Sequence, residues 1–198
     1  MFAKNKKQII ILVVANSFII FAATFLIMRE FQSRRPEPTL PLVEERETLI
    51  HETKPLSMRI AKIGLSAEIE EVGKTTAGNM AVPKGYDMVG WYKYGAAPGE
   101  IGNAVFAGHV DNGRGKPAIF ARLKELAIGD QIEVTTEDAE KIVFKVVGMK
   151  LLPYNSEPQT EIFGPSQKAR LNLITCNGEW INSLKTYSDR LVVFTEQI

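Results

Sequence analysis

Hydrophobic positions in this chain fall into three regimes, and each predicts a different kind of structure. Residues Ile9 to Met28 (IIILVVANSFIIFAATFLIM) run for 20 positions without a charge, the length of helix needed to cross a hydrocarbon layer about 30 Å thick. The run exceeds the roughly 7 to 15 apolar residues of a secretory leader, and no small-residue cleavage site precedes Arg29-Glu30. An uncleaved transmembrane anchor is therefore expected over 9–28. From Phe31 to Pro55 periodicity disappears and Pro36, Pro38, Pro41 and Pro55 enter among mixed charges, the composition of a spacer.

From Leu56 onward the apolar positions form short alternating runs separated by Gly and Pro. Strands are expected at Met58 to Ile63, Ala67 to Val72, Met88 to Tyr92, Asn103 to Val110, Gln131 to Thr135, Ile142 to Leu152, Leu171 to Cys176 and Leu191 to Thr195. A set of strands this dense predicts an all-β closed barrel or sandwich. One segment breaks the rule: Pro117 to Leu126 has Pro at a first helical turn, apolar residues at 119, 120, 123 and 126, and Gly129-Asp130 beyond it, which predicts a short helix. The layout is thus 1–8 as an N-terminal tail, 9–28 as anchor, 29–55 as spacer and 56–198 as one folded domain, large enough to bury its own core.

Charge adds little to this picture and excludes one class. Lys and Arg number 24 against 23 Asp and Glu, so no field of one sign predicts a nucleic-acid partner. Basic residues flank the anchor equally, Lys4, Lys6 and Lys7 before it and Arg29, Arg34 and Arg35 after it. The free amino terminus and the long C-terminal portion, which translocates whatever its charge, tip the orientation toward a cytoplasmic tail 1–8 and an extracellular spacer and domain.

The chemistry-bearing residues are few. Cys176 is the only cysteine, and it ends the strand Leu171–Cys176, on the face shared with Asn172 and Ile174, just before Asn177-Gly178 is expected to break the ladder. Of the two histidines, His51 falls in the spacer and reads as solvated, whereas His109 closes the strand from Asn103. Asp111 follows two positions later, able to meet the imidazole or to be solvated. Arg190 opens the last strand, and a hairpin return would carry it toward Cys176, where a fixed cation could meet charge developing on a carbonyl oxygen. One cysteine and two histidines do not make a zinc set, and HExxH, Walker A and GxGxxG motifs are absent. Glu68, Glu70 and Glu71 read as a solvated acidic face. No cofactor or metal is implied.

Taken in order, His109, Cys176 and Arg190 on a small all-β domain behind an anchor resemble the sortase family of cell-wall transpeptidases. Leu173-Ile174-Thr175-Cys176 fits the last four positions of that family's TLxTC signature, with Asn172 in place of the first Thr. Ala107-Gly108-His109-Val110, Val89-Gly-Trp-Tyr92, Pro98 to Ala104 and Phe120 to Asp130 are also similar to sortase segments, and the Gly-His-Val-Asp form is most similar to class F, then class D. The resemblance implies an eight-stranded closed sortase-type β-barrel with short helices. It further implies cleavage of an LPxTG-like sorting signal of surface proteins between Thr and Gly, with transfer to an amine of the peptidoglycan precursor or of another protein. Cys176 would be the nucleophile, His109 the acid and base, and Arg190 the oxyanion partner. Thr175 and Asp111 are added candidates for substrate contact, and the segment from Leu152 to Arg170 would wall the groove for the Leu-Pro part of the signal. Two other readings share these residues: a cysteine peptidase that uses water, and an inert surface-binding β-domain.

Overall fold

The computed structural model describes residues 51, 53–156 and 160–198. The tail 1–8, the expected anchor 9–28 and the spacer as far as residue 50 lie outside them. Among the described residues no helix is long and apolar enough to cross a membrane.

Eight strands form, as the alternation predicts: β1 (Pro55–Ile60), β2 (Leu65–Val72), β3 (Val89–Tyr92), β4 (Gly102–Ala107), β5 (Gln131–Thr136), β6 (Lys141–Pro153), β7 (Ala169–Ile181) and β8 (Thr186–Gln197). They close into a barrel in the order β1-β2-β3-β4-β7-β8-β6-β5. Neighbours are antiparallel except β2 with β3 and β4 with β7, which run parallel. Alternate side chains point inward, so Phe106, Ile132, Val134, Phe144, Leu171, Leu173 and Val193 meet Met58, Ile60 and Trp91 in one buried core. On the opposite face of β4 and β8 a smaller cluster of Val105, Ile162, Val192 and Phe194 forms, with Met80, Tyr92, Leu152 and Ile174 packed against it.

Four sequence expectations change. Pro117 to Leu126 is not an α-helix but a chain of tight turns ending in a 3-10 segment, Leu123–Glu125. Successive bonds from Ala121 to Ala118, Leu123 to Phe120 and Leu126 to Leu123 have i to i−3 spacing, which eclipses positions 120, 123 and 126 and drives all three into the core. The ladder does not stop at Asn177-Gly178: the register shifts there, then Trp180 pairs with Tyr187 and Ile181 with Thr186. Gly178 sits at φ 85, and a Cβ on it would collide with Ser188 and Asp189, so glycine permits a bulge inside a long hairpin. Consequently Arg190 lies within β8, four residues past its start, rather than opening it. Finally, His51 is not solvated. Its side chain is 5% exposed, its Nδ1 donates to the Glu100 carboxylate at 3.1 Å, its Nε2 lies 3.2 Å from the Lys93 carbonyl, and its ring meets the edge of Trp91.

Candidate active site

Cys176 and Arg190 lie on the adjacent strands β7 and β8, and His109 follows the end of β4 on the other flank of β7. β4 and β7 run parallel with Ala107 beside Ile174, and past the end of β4 the Gly108 N–H still donates to Ile174 O at 3.2 Å. One residue on, the Thr175 hydroxyl donates back to Gly108 O at 2.9 Å. His109 therefore emerges from a peptide tied to the strand of Cys176 from both sides. On the other flank β8 is antiparallel to β7, and the register sets Cys176 opposite Arg190. Since side chains alternate, both point away from the core, on the face of Asn172, Ile174 and Val192.

Gly108 has a steric reason. A Cβ there would lie 2.5 Å from the ring of Phe120, which is buried beneath it and whose N–H donates to His109 O at 2.9 Å. Only glycine lets the chain pass this close to the ring and still present the histidine outward. The imidazole is held by its Nε2, 2.9 Å from Pro83 O. A carbonyl can only accept, so Nε2 carries the proton and Nδ1 is the nitrogen left open. Tyr86 packs against the ring at 5.0 Å between centroids.

Arg190 directs Nη1 to Tyr187 O at 3.1 Å and to Asp189 O at 2.9 Å, and Nη2 to Thr186 Oγ1 at 2.8 Å. It has no carboxylate partner among the described residues, so its full charge is left for the site. Asp111 does not bond the imidazole: β4 has ended, the chain has turned, and the carboxylate accepts from the Tyr187 hydroxyl and from Gly113 N–H. Thr175 faces inward and is buried, with its hydroxyl spent on Gly108, so it shapes the His109 turn and offers no surface to a substrate. The acidic face is occupied in part, Glu71 pairing with Lys54 and Glu70 accepting from Lys84 N–H.

Burial pushes the Cys176 thiol above its ordinary value. The nearby Arg190 cation pulls the other way but loses, and the Asp111 anion adds to the rise. Tyr187, bonded to Asp111, is pushed up to about 12.

Cys176 and Arg190 line a groove of about 550 Å³. Its floor is Tyr92, Ala107 and Ile174, and one wall is the expected one, from Leu152 through Ser156 to Ile162 and Phe163. That wall is pinned by two buried asparagines: Asn172 Nδ2 donates to Ile162 O at 2.9 Å and Asn103 Nδ2 to Gly164 O at 2.8 Å. The opposite wall, Gly78 to Val82 in the β2–β3 connection, was missed in the sequence. Its one signal is that Met80 and Val82 are apolar positions in an otherwise polar loop.

Solved structures with the same fold include Streptococcus agalactiae sortase C1 in complex with MTSET (21% identity, 72% of this chain and 67% of that one, TM-score 0.56), Actinomyces oris sortase C-1 (20%, 72% and 72%, 0.56) and Clostridium perfringens sortase C (22%, 75% and 72%, 0.54). No curated protein matches the chain. The barrel order and the fold shared with these enzymes agree with the match of residues 58–198 to the sortase domain, and by that match the chain belongs to the sortase family, the cysteine transpeptidases.

Proposed function

We propose that this sortase is a membrane-anchored transpeptidase that cleaves an LPxTG-like signal between Thr and Gly and joins the acyl group to an amine of the cell wall or of another surface protein. The observation that carries the reading is the pairing of Cys176 opposite Arg190, both lining an apolar groove, with the peptide just before His109 tied by hydrogen bonds to the strand of the cysteine. Met80, Leu152, Ile162 and Ile174 offer the non-polar lining that a Leu-Pro segment needs. Cys176 gives its thiol proton to His109 Nδ1 and the thiolate attacks the Thr carbonyl, forming the C–S bond; the Thr–Gly C–N bond then breaks, its electron pair leaving with the Gly amine. Arg190 meets the charge on the carbonyl oxygen, and His109 delivers a proton through Nδ1 to the leaving amine and later takes one from the incoming amine. The segment 9–28 anchors the chain, and the stretch between it and the docked His51 holds the domain outside the cell. Within the family the Gly108-His109-Val110-Asp111 run supports class F, with class D second.

The test is to incubate the full chain with a Leu-Pro-x-Thr-Gly peptide, with and without an amine. Cleavage is expected with both, an amide product only with the amine, and a thioester on Cys176 by mass spectrometry. A folded Cys176→Ala chain is expected to lose all cleavage, and retention of cleavage by that variant would remove the thiol mechanism. Release of free acid alone, whatever the amine, would assign the protein as a peptidase.

A further inference from the structure

A second groove, of about 580 Å³, is lined in part by Tyr86, whose ring packs against His109. The stretch from Val82 to Tyr86 joins the two: Val82 lines the first groove, Pro83 O holds the imidazole, and Tyr86 lines the second while its ring packs against His109. The stretch that holds the histidine thus runs from one groove to the other. We propose that the second groove receives the acceptor, a peptide bearing a free primary amine with a carboxylate a few residues away. The proposal rests on the transpeptidase reading above and assigns a place to its second substrate.

The chemistry of the groove fits that occupant. Ile63, Leu65 and Ile119 line it with apolar surface, and its wall is fixed relative to the histidine because Ile119 N–H donates to Tyr86 O and Phe120 N–H to His109 O, both at 2.9 Å. Tyr86 is 49% exposed and offers a ring face to an ammonium at the point where the proton must be lost. Asp87 and Lys116 both line the groove and neither has an ion-pair partner among the described residues, so the groove carries one open charge of each sign, complementary to an ammonium and a carboxylate. With the acyl chain in the first groove, the amine comes from the second. Its nitrogen bonds to the thioester carbon, the C–S bond breaks with its electron pair returning to Cys176, and the proton lost by the amine passes to His109.

The experiment reads the ratio of aminolysis to hydrolysis by the full chain on a Leu-Pro-x-Thr-Gly peptide, with tri-alanine, tri-alanine amide or hydroxylamine as acceptor. Asp87→Lys, which repels an ammonium, and Ser66→Trp, which fills the groove from its edge, are expected to lower the tri-alanine ratio about three- to tenfold. The hydroxylamine ratio stays unchanged, since that molecule is too small to need the groove, and this also shows that the variants are folded. Lys116→Glu is expected to lower the ratio for tri-alanine and not for its amide. Ratios unmoved by Asp87→Lys and Ser66→Trp would overturn the proposal. So would variants that slow cleavage only of peptides extended beyond Gly, since the groove would then hold the leaving peptide. Failure of the unmodified chain to form any thioester at Cys176 would overturn the transpeptidase reading itself, and is distinguishable because no partition ratio then exists.

Discussion

At the scale of single residues the thiol of Cys176 is set by three opposing influences. Burial dominates and raises it, Arg190 lowers it, and Asp111 raises it again. Because the folded value lies above the unfolded one, the neutral thiol contributes stability at pH below the ordinary thiol range, and that contribution is lost as pH climbs through the raised value. Tyr187, pushed up to about 12, acts in the same direction at still higher pH, so the domain is expected to lose stability on the alkaline side. At neutral pH most molecules hold a protonated Cys176, and reaction proceeds through the thiolate fraction. The rate of iodoacetamide alkylation should therefore rise with pH through a midpoint above that of a free thiol. Arg190→Gln removes the lowering cation and should move that midpoint further up, whereas Asp111→Asn removes the raising anion and should move it down. Shifts of both variants in one direction would show that the two charges do not act on the sulfur as assigned.

At the scale of elements, the position where the sequence departs from the family signature has a structural task. Asn172 points to the same face as Cys176, is fully buried, and ties the Ile162 carbonyl of the groove wall to β7. Asn172→Ala leaves that carbonyl unpaired and should cost about 1–3 kcal/mol of stability. Because the wall moves and the reacting groups do not, KM for the signal peptide should rise more than kcat falls. An unchanged KM would mean that the wall keeps its place without this bond. Such ties explain what could be read in advance. β5 and β6 were legible because they alternate against the core, β4 and β8 because their apolar runs, buried on both faces, are short, and the Arg190 approach to Cys176 was legible as a hairpin return. The wall from Gly78 to Val82 was not, since Met80 packs on the outer cluster while Val82 stays exposed, with no period to announce either. The 3-10 segment was misread because positions 120, 123 and 126 suit i+3 spacing as well as a helix.

At the scale of the whole molecule, the approach of the His109 turn to the strand of Cys176 depends on a parallel pairing of β4 with β7, strands separated by two others in the chain. No local pattern reports such a pairing, and only the resemblance to a family suggested it. The N-terminal edge was misjudged for a related reason: His51 looks like part of a spacer because its partners, Trp91, Lys93 and Glu100, are distant in sequence. Pro55 is likewise buried as the first residue of β1 and pairs with Thr136. Glu100 accepts from His51 and also from Ala97 N–H at 2.8 Å, so the docked histidine braces the turn that leads into β4. A chain of residues 51–198 should therefore be more stable than one of residues 56–198, by about 1–3 kcal/mol for the hydrogen bonds and burial lost, seen as several degrees in thermal melting. His51→Ala in the longer chain should reproduce most of the loss. Cleavage per folded molecule should be the same in all three, because neither groove is lined by residues 51–55. Equal melting temperatures for the two lengths would show that the docking of His51 adds nothing to the barrel.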